Sequence, residues 1–279
     1  MSVVISIPEF KERLDAGTIQ CLLDLRNPEE FSAWCIEGKK AVETINIPQL
    51  DFIGEEEQYF HRLPKDKEII IVCAHGDASK YSAELLQTHG FTALSLEGGM
   101  DAWSEFYELH RLREAPAIHQ VYRVAKGCIT HVLIAGNEAI VIDAVRHIAH
   151  IEKILAQSGA RLTAVLDTHL QADHLSGGRA LAEKYNASYW LHPLDGAGAA
   201  YAFQPLTDGV SFRLGASTLE VIHSPGHTSG SVSLLLDQRF LFSGDTIMKT
   251  SLGRPDLGGK AEEWSCLLYK TLYERFRKL

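Results

Sequence analysis

The stretch Thr163-Ala-Val-Leu-Asp167-Thr-His169-Leu-Gln171-Ala-Asp173-His174-Leu-Ser-Gly-Gly178 decides the reading of this chain. An apolar run, Thr163 to Leu166, predicts a strand, and imidazoles and carboxylates crowd the turn that follows it. Two glycines then lead into a helical pattern, Ser176 to Tyr185. Side chains of this kind at the end of a strand have metal-ligand chemistry. Further on, Ser224-Pro-Gly-His227-Thr and, after the run Phe240 to Phe242, Ser243-Gly-Asp245-Thr place more candidate ligands in turns, where separate loops can converge. Upstream, the patterns His131 to Ala135 and Ala139 to Ile142 predict strands, the second ending at Asp143, and Ile148 to Ser158 predicts a helix. Ser188 to Leu191 predicts a further strand, with His192 in the loop after it and His223 within a strand.

Working back towards the N-terminus, short apolar runs (Cys21 to Leu25, Ile69 to Val72, Ala93 to Leu96) alternate with amphipathic stretches (Pro8 to Ala16, Ser79 to Thr88). That alternation predicts a small α/β domain over residues 1–113 with a mainly parallel sheet. The charged text from His110 to Pro116 reads as a linker, and residues 117–279 as a second domain. The ending Tyr273-Glu-Arg-Phe-Arg-Lys-Leu279 is amphipathic and adds no strand, so the second domain is expected to be C-terminally incomplete.

The chain has 279 residues, enough for two cores. Its net charge of -9, with 46% hydrophobic residues, gives no basic surface for nucleic acid or an anionic membrane, and neither is expected as a partner. The opening MSVVISIPEFKERL holds no apolar stretch of signal-peptide length, which predicts a cytoplasmic location. Five scattered cysteines (Cys21, Cys35, Cys73, Cys128, Cys266) do not form a disulfide pattern. Cys73 stands apart. It closes the run Ile69 to Val72 and opens Ala74-His-Gly-Asp-Ala78 before a helix, where backbone N–H groups and a helix start can hold a persulfide sulfur as an anion.

The first domain resembles the rhodanese family in Asp24-Leu-Arg26, in the six-residue loop that begins at Cys73, and in Gly90-Phe-Thr-Ala-Leu-Ser-Leu-Glu-Gly-Gly-Met-Asp-Ala-Trp103. The resemblance implies that Cys73 carries sulfane sulfur and that Asp24 and Arg26 are structural. Many active rhodaneses have arginine where Ala78 stands, so the dianion thiosulfate is expected to be a poor donor here. From about Ile118 onward the chain resembles the metallo-β-lactamase superfamily, which implies an αββα sandwich with Asp143 orienting a ligand loop. Within it, Gly127-Cys128 and Gly253-Arg254-Pro-Asp-Leu257 are similar to the persulfide dioxygenases, the type mutated in ethylmalonic encephalopathy.

That resemblance implies one Fe(II) per chain on His169, His227 and Asp245, with open positions for O₂ and a thiolate-like substrate. Gln171, Asp173 and His174 would support the ligands, and Arg254 is a candidate for binding the carboxylate of the thiol carrier, with a structural ion pair as the equal alternative. A two-metal hydrolase of this fold needs a histidine at position 171 and another after His227, and the chain has neither. The expected reaction is oxidation of a low-molecular-weight persulfide, such as glutathione persulfide, with O₂ to sulfite and thiol. The first domain would pass sulfane sulfur to an acceptor such as sulfite, forming thiosulfate. Two alternatives stay open: a zinc-dependent thioester hydrolase of the glyoxalase II kind, and a non-catalytic sulfane-sulfur carrier or sensor. A homo-oligomer is compatible with all three.

Overall fold

The computed structural model describes residues 3–112, 116–171 and 176–279. Its contacts divide the chain into two units, Met1–Phe106 with Arg123–Lys126, and Tyr107–Tyr122 with Gly127–Leu279.

The first unit carries strands β1 (Val4–Ile5), β2 (Cys21–Asp24), β3 (Glu43–Asn46), β4 (Glu68–Val72) and β5 (Thr92–Leu96), and helices α1 (Ile7–Ala16), α2 (Pro28–Ala33), α3 (Gln49–Phe52), α4 (Asp77–Thr88) and α5 (Gly99–Ser104). The strands form one parallel sheet in the order β1-β5-β4-β2-β3. Its central strands read as unbroken apolar runs because helices cover both faces. The side chains of Leu23, Ile69 and Ile71 enter one core cluster, and those of Leu22, Ile70 and Val72 enter the other. Helix α1 begins where the Ser6 hydroxyl accepts the Glu9 N–H, and ends at Gly17 in the left-handed region.

At the carboxyl end of β2, Arg26 and Asp24 make a buried bidentate pair, with Nη2–Oδ2 at 2.7 Å and Nε–Oδ1 at 3.1 Å. The guanidinium also donates to the carbonyls of Glu30 and Trp34. It therefore ties the strand end to the segment around α2, and losing either partner would cost about 3–5 kcal/mol.

The second unit holds a sheet of seven strands: β6 (Tyr107–Leu112), β7 (Ala117–Arg123), β8 (Cys128–Ala135), β9 (Glu138–Ile142), β10 (Arg161–Leu166), β11 (Ser188–Leu191) and β12 (Gln204–Pro205), in the order β12-β11-β10-β9-β8-β7-β6. A smaller antiparallel sheet follows, β13 (Ser211–Leu214), β14 (Ser217–His223), β15 (Val232–Leu236) and β16 (Phe240–Phe242), adjacent in that order. Leu133, Ile140, Ile142 and Leu166 from the larger sheet meet Leu219, Val221, Leu234 and Phe242 from the smaller one in a single core. The other face of the larger sheet packs on helices α6 (Ala149–Ser158) and α7 (Gly178–Tyr185). Helix α8 (Ala261–Lys270) lies against Gly226, where a Cβ would meet Leu268 at 2.4 Å.

His110 to Leu112, read from the sequence as the start of a linker, instead complete β6. The strand lies at the edge of its sheet with four exposed residues at its end, so charge there blunts the edge and erases the apolar alternation that marks a strand. No helix among the described residues is long and apolar enough to cross a membrane.

This topology puts strand ends where the site needs them. Strands β9, β10 and β11 run parallel, with Ile142 beside Leu166 and Leu166 beside Trp190. The loops that start at Asp143, Asp167 and His192 consequently leave one end of the sheet together, as ligand-bearing loops do in parallel sheets.

Candidate functional site

His169, His227 and Asp245 converge, each offering a ligand atom within 4.8 Å of the others. His169 Nε2 lies 3.9 Å and His227 Nε2 3.7 Å from Asp245 Oδ2, and the two rings stand nearly perpendicular with centroids 4.9 Å apart. Both histidines are buried, whereas the Asp245 side chain is 49% exposed, so the cluster opens to solvent on the carboxylate side.

Hydrogen bonds fix which nitrogen each ring presents. His227 Nδ1 lies 3.1 Å from the Arg254 carbonyl, which can only accept, so the proton sits on Nδ1 and Nε2 faces Asp245. His169 Nδ1 meets Thr168 Oγ1 at 3.0 Å, and the same hydroxyl lies 2.9 Å from Asp143 Oδ2. The Thr168 N–H also donates to Asp143 Oδ1 at 2.7 Å. Asp143 therefore acts on His169 through Thr168, from a backbone held at φ 51°.

Burial, and next the charge of Asp167, pushes the Asp143 carboxyl up to about 8, with Asp245 adding to the rise while the Thr168 bonds oppose it. Two imidazole nitrogens that face one carboxylate form a donor set suited to a cation. Two neutral nitrogens and one anionic oxygen fit a mononuclear divalent site of the two-histidine, one-carboxylate kind.

Close approach around the cluster depends on glycine. A Cβ at Gly253 would lie 2.1 Å from the Asp245 carbonyl and 2.8 Å from His227 Cβ, and one at Gly244 would lie 2.4 Å from Thr168 Oγ1.

In the first unit, Cys73 follows β4 and is buried. Its Sγ accepts the N–H of Gly76 at 3.1 Å and of Ser79 at 3.4 Å, and the Ser79 hydroxyl lies at 3.3 Å. Gly76 takes φ 98° at the start of α4, which folds the loop back over the sulfur. The Cys73 carbonyl is held by the Met100 N–H, and Gly99 packs so closely there that a Cβ would fall 2.3 Å from that oxygen. Within the loop, His75 pairs with Asp101 at 2.6 Å.

Residues 128–273, more than half of the chain, match the metallo-beta-lactamase superfamily. The chain belongs to that superfamily. Residues 6–106 match the rhodanese-like domain, so an N-terminal rhodanese-like domain precedes the metallo-beta-lactamase fold. Among similar proteins, Persulfide dioxygenase ETHE1, mitochondrial, of Mus musculus is 29% identical over 167 residues, which are 58% of this chain and 63% of that one. A Hydroxyacylglutathione hydrolase of Brucella anthropi is 35% identical over 107 residues, 38% of this chain and 41% of that one. Both are matched over less than two thirds of their own length. The crystal structure of ETHE1 from Myxococcus xanthus superimposes with a TM-score of 0.50 and 26% identity, over 62% of this chain and 71% of that chain.

In this metallo-beta-lactamase domain the residues expected as ligands, His169, His227 and Asp245, lie together, and Asp143 sits behind them. Gln171 is half-buried two residues beyond His169, while Asp173 and His174 lie outside the described residues. The exposed Arg254 guanidinium is engaged by Asp256, with Nε–Oδ1 and Nη2–Oδ2 both at 2.7 Å, and this pairing holds the Asp256 carboxyl down at about 2. What Arg254 brings to the cluster is its backbone carbonyl. Sequence reasoning quoted Thr168 and Gly253 only as members of motifs and missed Asp195, which lies in a separate loop and leaves no local pattern.

Proposed function

We propose that the metallo-beta-lactamase domain oxidises a low-molecular-weight persulfide, such as glutathione persulfide, with O₂ to sulfite and the free thiol at a single Fe(II) held by His169, His227 and Asp245. The observation that carries this reading is the convergence of two histidines and one carboxylate while position 171 offers an amide, which ligates poorly. Iron, when bound, supplies the redox chemistry that joins a persulfide to O₂, with one water completing the third oxygen of sulfite.

The chain's own groups have separate tasks. His169 and His227 present neutral nitrogens, and Asp245 offsets part of the dication's charge. The Arg254 carbonyl and the Thr168–Asp143 pair lock the two rings in the tautomer that coordinates. Asp245 faces solvent, so a small substrate reaches the cluster from that side.

In the rhodanese-like domain, Cys73 would attack the terminal sulfur of a persulfide, releasing the carrier thiolate and leaving a cysteine persulfide. The N–H groups of Gly76 and Ser79 would stabilise the anionic sulfur. Sulfite would then take that sulfur as thiosulfate and return the cysteine thiolate.

The reading is tested by supplying glutathione persulfide to the full chain in an oxygen electrode, with sulfite and metal measured on the same sample. We expect one O₂ consumed per sulfite and thiosulfate formed, taken together, by protein that holds iron. Zinc in the protein, hydrolysis of a glutathione thioester and no O₂ uptake would establish the hydrolase instead. Sulfur loaded on Cys73 with no turnover would establish a carrier.

A further inference from the structure

We infer that Asp195 is a positioning residue that clamps the two histidine-bearing loops together and so sets the spacing of the metal ligands. The inference rests on the reading of His169, His227 and Asp245 as a metal centre.

One carboxylate reaches both loops. Asp195 Oδ2 accepts the N–H of Leu170 at 2.8 Å, directly after His169, and the hydroxyl of Thr228 at 2.7 Å, directly after His227. Its Oδ1 accepts the N–H of Gly230 at 2.8 Å. Gly230 packs so tightly against Asp195 that a Cβ would fall 2.4 Å from Oδ1. The residue following each histidine is thus held by the same side chain.

The turn that presents Asp195 is itself preorganised. The His192 carbonyl accepts the N–H groups of Asp195 at 3.0 Å and Gly196 at 2.9 Å, and His192 Nδ1 accepts the Leu194 N–H at 3.2 Å. Gly196 leaves no room for a side chain, since a Cβ would strike the Phe203 ring at 2.3 Å. The His192 ring stacks on His223 with centroids 4.5 Å apart and planes 1° apart, and His223 Nε2 donates to the Ser229 carbonyl at 3.0 Å. The turn 192–196 is therefore tethered to the loop of His227 at Thr228, Gly230 and Ser229. A spacer of this kind holds the ligand geometry before metal arrives, so the metal does not have to order the loops.

Cobalt(II) added to the metal-free full chain, with its visible spectrum and competition against a chelator, tests the clamp. Asp195→Ala should lose about 10- to 100-fold in Co(II) affinity, the span typical of groups that orient ligands, and should shift the Co(II) bands. Asp195→Asn keeps one accepting oxygen but turns an amide NH₂ towards a donor, so it should lose less. Thr228→Val removes one of the three bonds and should lose least. A merely structural residue would lower the melting temperature of the metal-free protein while leaving affinity and spectrum unchanged. That result in a folded Asp195→Ala would overturn the clamp, and if Asp195→Ala does not fold, the same result in Asp195→Asn would do so. Failure of the wild type to take up Co(II) would instead overturn the metal centre on which the inference rests.

Discussion

The Cys73 loop and the histidine–aspartate cluster are built by opposite strategies. Around Cys73 the hydrogen bonds to the sulfur come from Gly76 and Ser79, two of them from backbone N–H groups that any sequence with the right φ angles would supply. The cluster draws its two imidazoles and one carboxylate from loops after three different strands, and hydrogen bonds reach those loops from Asp143, Thr168, Asp195 and a backbone carbonyl at Arg254. A local site concentrates its chemistry in one atom and tolerates change around it, whereas a distributed site fails by degrees at many positions.

The largest contrast should come from Cys73→Ala, which removes the sulfur that accepts the Gly76 and Ser79 N–H groups. Sulfur transfer to sulfite should vanish, while O₂ uptake on a small persulfide should stay within about twofold of wild type, because the two sites belong to different units of the chain and share no residue. Loss of both activities together would mean that the two sites share one reaction path.

A smaller effect on the distributed site should follow from Gly253→Ala. The new Cβ has only 2.1 Å to the Asp245 carbonyl, so the loop must shift and carry Arg254 away from His227. We expect a stability loss of about 1–3 kcal/mol, read from denaturant unfolding, together with weaker metal retention. Unchanged retention would show that the Arg254 carbonyl does not govern the His227 ring.

The smallest effect concerns the sandwich beneath the cluster. His131 packs edge-on against Phe242 at 4.7 Å, and burial pushes its imidazole down to about 4. Its folded value lies below the unfolded one, so the unfolded chain takes the proton first. The stability it contributes is present above pH 6.5 and is lost as pH falls towards 4. Denaturation midpoints of the metal-free protein should decline over that window, and His131→Gln should flatten the decline. An equal decline in the variant would place the acid sensitivity elsewhere.

The same contrast explains what could be read in advance. Unbroken apolar runs at Ile69 to Val72 and Thr163 to Leu166 marked central strands because both faces are covered, and Cys73 and His169 just past them became candidates through the motifs around them rather than by position alone. The charged edge strand Tyr107–Leu112 was hidden because an edge needs no alternation. Arg254 was noticed for its guanidinium, yet that group pairs with Asp256 while the carbonyl meets His227, and no sequence pattern encodes a carbonyl's direction. Asp195 sits 26 residues after His169 by numbering and was passed over with its loop, since a carboxylate that accepts three donors looks like any surface acid until the fold brings the donors to it.

The central claim is a single metal on two histidines and one aspartate, and counting metal per chain in wild type, Gln171→Ala and Asp245→Ala purified side by side tests it most directly. A dinuclear hydrolase makes position 171 a ligand, whereas the mononuclear centre gives it at most a hydrogen-bonding role. We predict close to one iron in the wild type and in Gln171→Ala, with at most about a 10- to 100-fold loss of activity in the latter, and a nearly empty site in Asp245→Ala, which loses its only anionic ligand. An emptied site in Gln171→Ala beside a filled one in Asp245→Ala would contradict the ligand set.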